Sequence, residues 1–184
     1  IEEAMSAGFI NMRIQPTLGY GYVAVNHNNE IFKDVKVRQA LLHAIDRKSL
    51  NQAVYGQYAI TLNIPQAPIS WLYDDEGLDK YEYDLEKAEA LLKEAGWEKD
   101  GDKLMKDGKQ MKIVFSAMSG NIVTDTMIPL MIDAYGQLGI DFQAEYVDWP
   151  TLQSKSQNGT FDMLFMAWGL TADPDLTGTF ASPE

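Results

Sequence analysis

The chain has 184 residues, 46% apolar and 23% charged, the balance of an ordinary globular protein, which argues against disorder. Fifteen basic against 27 acidic side chains leave a formal net charge of -12, so the surface repels phosphate backbones and anionic lipid, and nucleic acid is a poor candidate partner. Cysteine is absent, which removes disulfides, thiolate metal sites and cysteine nucleophiles while leaving the compartment open. No apolar run has the length of a membrane span, and no charged-then-apolar leader opens the chain. Beginning at Ile1 without a methionine and ending at Glu184, it reads as an excised piece, large enough for one substantial domain.

In chain order, Phe9 to Ile14 and Tyr20 to Val25 are short β-type runs separated by Pro16-Thr-Leu-Gly19 and read as adjacent strands joined by a turn. From Val35 the period becomes helical, with Val37, Ala40, Leu41, Ala44 and Ile45 on one face. Asp46 then caps a second helix in a new phase, carrying Leu50, Ala53 and Val54 and stopped by Gly56. Residues 57–83 show no sustained period and read as a long ordered loop over the body of the domain. Asp84 is a good N-cap, followed by the stripe Leu85, Ala88, Leu91, Leu92 and Ala95, with Gly96 as the stop. Asp100-Gly101 and Asp107-Gly108 bracket a short strand at Leu104-Met105, a hairpin signal leading into a strand over Met111–Ser116.

A helical pattern from Ile122 to Leu138 contains Pro129, which predicts either a kink or a start nearer Thr126. Ile140, Phe142, Ala144 and Tyr146 alternate with polar residues as in a half-buried strand, so strand, helix and strand imply a right-handed parallel crossover. Asp148 with Pro150 opens one more helix, stopped by Asn158-Gly159. Met163 to Trp168 is then uninterrupted apolar sequence, suited to a central strand covered on both faces, and Gly169 with Asp173-Pro174-Asp175 ends it. Ligands gather at the carboxyl ends of strands in open α/β sheets, which makes this strand end a candidate binding edge.

Catalytic constellations are thin. His27 lies in a turn and His43 on an amphipathic helix, neither with an i+4 histidine partner, and both read as structural. Ser119 lacks the glycine-flanked elbow of a hydrolase, and no phosphate-cradling loop ends in lysine. A carboxylate hydrolase needs only two acids, and Asp173 with Asp175 or Asp141 with Glu145 are available. Asp-Pro-Asp is first a turn sequence, however, and Asp141 and Glu145 alternate outward like a solvated strand face. A calcium site at Asp173 and Asp175 lacks a regular helix-loop-helix loop. Four tryptophans and nine tyrosines supply flat surface of the kind that lines ligand clefts; Trp168, at a strand end, is the best placed.

Four blocks carry a resemblance. Phe32-Lys-Asp-Val-Lys-Val-Arg-Gln-Ala-Leu-Leu-His-Ala-Ile-Asp-Arg47 and Tyr83-Asp-Leu-Glu-Lys-Ala-Glu-Ala-Leu-Leu-Lys-Glu-Ala-Gly-Trp97 come first. Gly139-Ile140 follows, and then Phe161-Asp162 with Trp168-Gly169 and Asp173-Pro174-Asp175. In this order and spacing the chain resembles the extracytoplasmic oligopeptide- and dipeptide-binding proteins of ABC importers, the family 5 bacterial solute-binding proteins.

The resemblance implies an α/β, periplasmic-binding-protein-like (type II) lobe, a mixed β-sheet with flanking helices. The chain would be most of the C-terminal lobe of a two-lobed clamshell, with the partner lobe and the final return of the chain outside it. It implies capture of a peptide between the lobes without chemical change or cofactor, and delivery to permease subunits, in the periplasm or at a bacterial cell surface by lipid anchor. Family relatives also bind nickel complexes, haem or oligosaccharides; a sensory receptor on the same fold is a further alternative. Ala167, Trp168, Gly169 and Leu170 correspond to the segment that pairs with a bound peptide main chain, which is β-augmentation. Two positions depart from the pattern: Thr171 stands where some members place an aspartate for the peptide amine, with Asp173 the nearest acid, and Phe165 replaces an arginine. Asn26, Ser119 and Asn121 are weaker candidates for the cleft wall, with turn roles equally available.

Overall fold

The computed structural model describes Ser6, Arg13, residues 15–173 and residues 175–181; apart from Arg13, the strand expected at Phe9–Ile14 lies outside them, as does Pro174. Among the described residues its centre is a mixed four-stranded sheet in the order β1 (Gly19–Val25), β7 (Met163–Gly169), β5 (Lys112–Met118), β6 (Asp141–Val147). β5, β6 and β7 are parallel, and β1 runs antiparallel to β7. The strand at Tyr20–Val25 therefore has β7 as its partner, a long-range pairing that local turn residues do not announce.

Alternation along the strands assigns the two faces. Ile113, Phe115, Ala117, Phe142 and Met163 point to one side and join a single core with the helices α2 (Val35–His43), α4 (Leu85–Glu94) and α5 (Ile122–Gln137). Tyr135 of α5 lies 5.0 Å from the Phe142 ring, and Phe142 lies 6.0 Å from Phe115. Full burial of each such side chain contributes about 1.5–3 kcal/mol relative to leaving it in water. The opposite face carries Ser116, Glu145 and Leu164, and is covered over β5 by α6 (Trp149–Asn158) through buried Leu152.

The caps read from the sequence are formed. Asp46 accepts from the Lys48 and Ser49 amides at the start of α3 (Arg47–Tyr55), Asp84 from Lys87 and Asp148 from Thr151. A single extra turn, α1 (Glu30–Lys33), is capped by Asn29. α5 begins at Ile122, capped by Asn121, and continues through Pro129, so the later start near Thr126 is not what forms. Between α4 and β5 sits the hairpin β2 (Glu98–Asp100), β3 (Lys103–Lys106) and β4 (Lys109–Gln110), turning at Asp107 and Gly108, both at positive φ. It docks where the Leu104 amide donates to Gly139 O at 2.8 Å. Gly139 has φ +80°, and a Cβ there would sit 2.8 Å from Leu104 N, so only glycine fits.

The segment after α3 forms one 3-10 turn at Gly56–Tyr58 and then no helix or strand before α4. Its two ends are tied together by the Arg47 guanidinium, which donates to Leu62 O, Asn63 Oδ1, Lys80 O and Tyr81 O. His43 is buried, its Nδ1 2.6 Å from Glu82 O and its ring edge-on to Tyr81, which places it in this fastening. Among the described residues no helix is long and apolar enough to cross a membrane. A four-residue helix, α7 (Thr177–Phe180), ends the described chain.

Candidate functional site

The connections around β5 diverge. From β5 the chain passes through α5, on the core face, to β6 on one side; from β6 it returns through α6, on the other face, to β7 on the opposite side of β5. Such a reversal opens a crevice at the carboxyl ends of the two central strands. Here it is widened by a splay. β7 pairs with β1 over seven positions, from Gly19 opposite Gly169 to Val25 opposite Met163. Its ladder with β5 has only two, Phe115 opposite Met163 and Ser116 opposite Leu164. Beyond Leu164, β7 is laddered to β1 alone among the described residues, and its β5-side edge has no strand partner among them.

This geometry corrects the expectation of a strand covered on both faces. Met163 and Leu164 are buried and Phe165 and Met166 half-buried, but Ala167, Trp168 and Gly169 are exposed. Trp168 keeps 46% of its surface in water, an uncommon exposure for an indole inside a strand. It shares a face with Tyr20, its direct partner across the ladder, and Tyr22, whose ring is parallel to it within 7° at 6.5 Å. Tyr20 lies 5.8 Å from Tyr22, tilted by 49°. Burial raises the pKa of both phenols. Sequence reasoning misses these two tyrosines; their i, i+2 spacing is visible, but their neighbourhood with Trp168 depends on the β1–β7 register.

The other residues named from sequence divide by location. Phe165 lies on the opposite face of β7 from Trp168, packed toward the core with its ring over Gly21. Ala167 and Gly169 share its parity, and Leu170 is half-buried just past the strand. The Thr171 hydroxyl donates to Asp173 O at 2.9 Å, and the Asp173 carboxylate accepts from the Asp175 amide at 3.1 Å, so this stretch is a self-bonded turn. Asp175 in turn accepts from the Thr177 amide and hydroxyl, which lowers its pKa. Ser119 and Asn121 follow β5 at the crevice end of the sheet. The Ser119 amide donates to Val147 O at 2.8 Å, and Asn121 Oδ1 accepts from the Val123 and Thr124 amides.

Asn26 is at the far end, where β1 stops and β7 starts. Its Nδ2 donates to Gly159 O at 2.8 Å and Phe161 O at 2.7 Å. Asp162 stands beside it, accepting from the Val114 amide and Asn29 Nδ2. An open groove of about 530 Å³ runs here over the α6 face, lined in part by Asn28, Ser116, Glu145 and Lys155. Glu145 accepts from Lys155 Nζ at 2.8 Å and from the Ser116 hydroxyl at 3.0 Å, and its pKa is lowered, most of all by the lysine. Asp141 is held low by hydrogen bonds from Gln143 and Lys112. Asp141 and Glu145 are thus engaged separately, on different bases. Among the described residues no group of three or more histidine, aspartate and glutamate side chains is arranged to hold a metal ion.

Residues 1–182 match the bacterial extracellular solute-binding proteins, family 5 middle region. The chain belongs to this family. Among curated relatives, this chain is 36% identical over 183 residues to the oligopeptide-binding protein AppA of Bacillus subtilis, covering 96% of its own length and 34% of the relative's. The solved structure of that protein in complex with a nonapeptide superposes with a TM-score of 0.82 at 34% identity, over 88% of this chain and 33% of the other. NikA from Brucella suis in complex with Fe(III)-EDTA gives a TM-score of 0.83 at 27% identity, over 94% and 35%. The chain spans about a third of the length of the relatives it matches. The type II periplasmic-binding-protein fold, with its mixed sheet and flanking helices, is the one expected from the sequence.

Proposed function

We propose that this chain is most of the C-terminal lobe of a two-lobed receptor that captures peptides outside the cytoplasm and hands them to an ABC importer. The observation that carries the reading is the β5-side edge of β7, which beyond its two-pair ladder with β5 has no strand partner among the described residues. An extended peptide laid there gains main-chain hydrogen bonds from Phe165–Leu170 without its side chains being read, the economy of β-augmentation. The nonapeptide bound by the Bacillus subtilis relative supports a peptide of this kind. Thr171 and Phe165 stand where some family members carry an aspartate and an arginine, which favours a ligand not gripped by its ends at these two positions. The ligand-facing set is Ala167, Trp168, Gly169 and Leu170, with Ser119 and Asn121 at the neighbouring strand end; Phe165 and Asn26 act through packing and loop fastening.

Capture without chemistry is part of the proposal. Asp173, Asp175, Asp141 and Glu145 are each committed to turn or ion-pair bonds, which supports a binding role over a carboxylate hydrolase. Periplasmic residence or a lipid anchor, a second lobe and a permease partner follow from the family reading. A second reading, a chelated metal as the solute, is favoured by the likeness to a relative holding Fe(III)-EDTA.

The test is mass spectrometry of what co-purifies with the complete two-lobed protein, followed by calorimetry with those compounds. Intact peptides bound at one per receptor are expected. Cleaved products would point to the hydrolase, and a metal chelate with no peptide would replace the peptide reading. The isolated chain, offering half of the contacts, should bind weakly or not at all.

A further inference from the structure

We infer that Tyr22 is a positioning residue that sets the Trp168 ring as one wall of a side-chain site, and that the ligand residue beside Trp168 is flat and apolar. This rests on the crevice edge of β7 being the seat of a peptide.

Residues directly opposite on neighbouring strands, on one face of a sheet, have Cβ atoms about 4.5–5.5 Å apart. A peptide main chain added along the β5-side edge of β7, which has no strand partner there among the described residues, therefore brings one of its side chains against Trp168, on the face that carries Tyr20 and Tyr22. Trp168 is then the middle of three rows, with β1 behind it and the ligand in front. The row behind is already filled. Tyr22 lies parallel to the indole within 7° at 6.5 Å, and Tyr20 lies tilted against Tyr22 at 5.8 Å. Offset stacking at these separations is a favoured aromatic arrangement. The indole exposure thus belongs to a ring whose tilt is held by its neighbour. An ordered ring loses little further freedom when another flat group stacks on it, so the gain in affinity is kept.

The chemistry of the wall selects in the same direction. Its side chains are Tyr20, Tyr22, Met166 and Trp168, flanked by Ala167, Gly169 and Leu170, none of them ionisable to a charge at neutral pH. The next acid along the chain, Asp173, is bonded to the Asp175 amide. A lysine or arginine at this ligand position finds no carboxylate on this stretch, and a carboxylate finds no cation. Tyr22 touches Trp168 and acts on the ligand only through it.

The experiment uses the complete two-lobed protein and alanine-based nonapeptides with free termini, carrying Phe, Leu or Lys at one guest position scanned along the peptide, with affinities from calorimetry. Expected is one position at which Phe binds roughly 3- to 10-fold more tightly than Leu, with Lys weaker still, the range that one aromatic pair contributes. Tyr22→Leu loses most of that preference, and Tyr22→Phe, which keeps the ring but lacks the hydroxyl that hydrogen-bonds the Trp168 side chain, loses less of it. Circular dichroism checks that the variants fold; should Tyr22→Leu not fold, Trp168→Leu at its exposed position carries the test and removes the same preference. Binding of the alanine host with no position that prefers Phe overturns the inference and leaves the peptide receptor standing, as does an undiminished preference in Tyr22→Leu. Failure of every nonapeptide to bind overturns the peptide reading and this inference with it.

Discussion

The Phe165 ring fills the space that a side chain on Gly21 would occupy: a Cβ at Gly21 would lie 2.8 Å from Phe165 Cζ and 2.9 Å from Cε2. Gly21 sits one step along the same face from Val23, the ladder partner of Phe165, so the ring leans diagonally over the bare backbone. Gly21→Ala should therefore destabilise the protein by about 1–2 kcal/mol through overpacking, measured by urea unfolding. Phe165→Leu combined with Gly21→Ala should recover part of that loss. Additive costs in the double variant would show that the two residues do not share this space.

Asn26 joins the end of β1 to the turn before β7 with two side-chain donors, and its Oδ1 accepts from the Asn28 amide at 3.0 Å. Asn26→Ala leaves half-buried carbonyls at Gly159 and Phe161 short of partners and should cost about 1–3 kcal/mol. Ligand affinity of the complete receptor should stay within about twofold of wild type, because both amide hydrogens of Asn26 are already donated inside the protein and none is free for a ligand. A large fall in affinity with unchanged stability would place Asn26 in the cleft.

The Glu145 carboxyl titrates below its ordinary value because Lys155 and Ser116 hydrogen-bond its charged form. A carboxylate whose pKa is depressed by folding adds stability above its unfolded pKa, about 4.3, and that stability drains away as pH falls through the lower folded value. Glu145→Gln should thus be less stable than wild type at pH 7, with the gap closing as pH is lowered below about 4. Glu145 is partly exposed, so the gap is modest and shrinks in salt. Urea unfolding between pH 7 and pH 3 measures it, and a gap that widens toward acid would contradict the assignment.

Arg47 fastens both ends of the segment that follows α3, reaching carbonyls at Leu62, Lys80 and Tyr81 and the Asn63 side chain. Arg47→Met should release that segment and raise protease cleavage within residues 59–83 severalfold while the core stays folded. Arg47→Lys should rescue little, since one ammonium cannot serve divergent acceptors as a planar fork does. Equal cleavage in all three proteins would show that the loop is held by its own packing, through buried Gln66 and Ala67.

Much of the fold was legible because its signals are local. Asp46, Asp84 and Asp148 cap the helices they were expected to cap, since an acceptor that reaches the second or third amide of a helix needs no distant partner. Asp107-Gly108 turned the hairpin for the same reason. The four motif blocks carried the family, and with it the type II lobe. Coverage of β7 was not legible, because an apolar run is the same string whether neighbours cover it to its end or leave it after Leu164.

The sequence by itself determined most of the longer helices and strands, the caps at Asp46, Asp84 and Asp148, the acidic charge balance and the family, all properties of residues a few positions apart or of a motif in order. Tertiary structure alone decided that β1 lies beside β7 and that β5 leaves β7 after two pairs. Those two facts bring Tyr20 and Tyr22 next to Trp168 across more than a hundred residues and turn Phe165 away from them. Strand register is set by which face must be buried, a demand of the whole core rather than of any one segment.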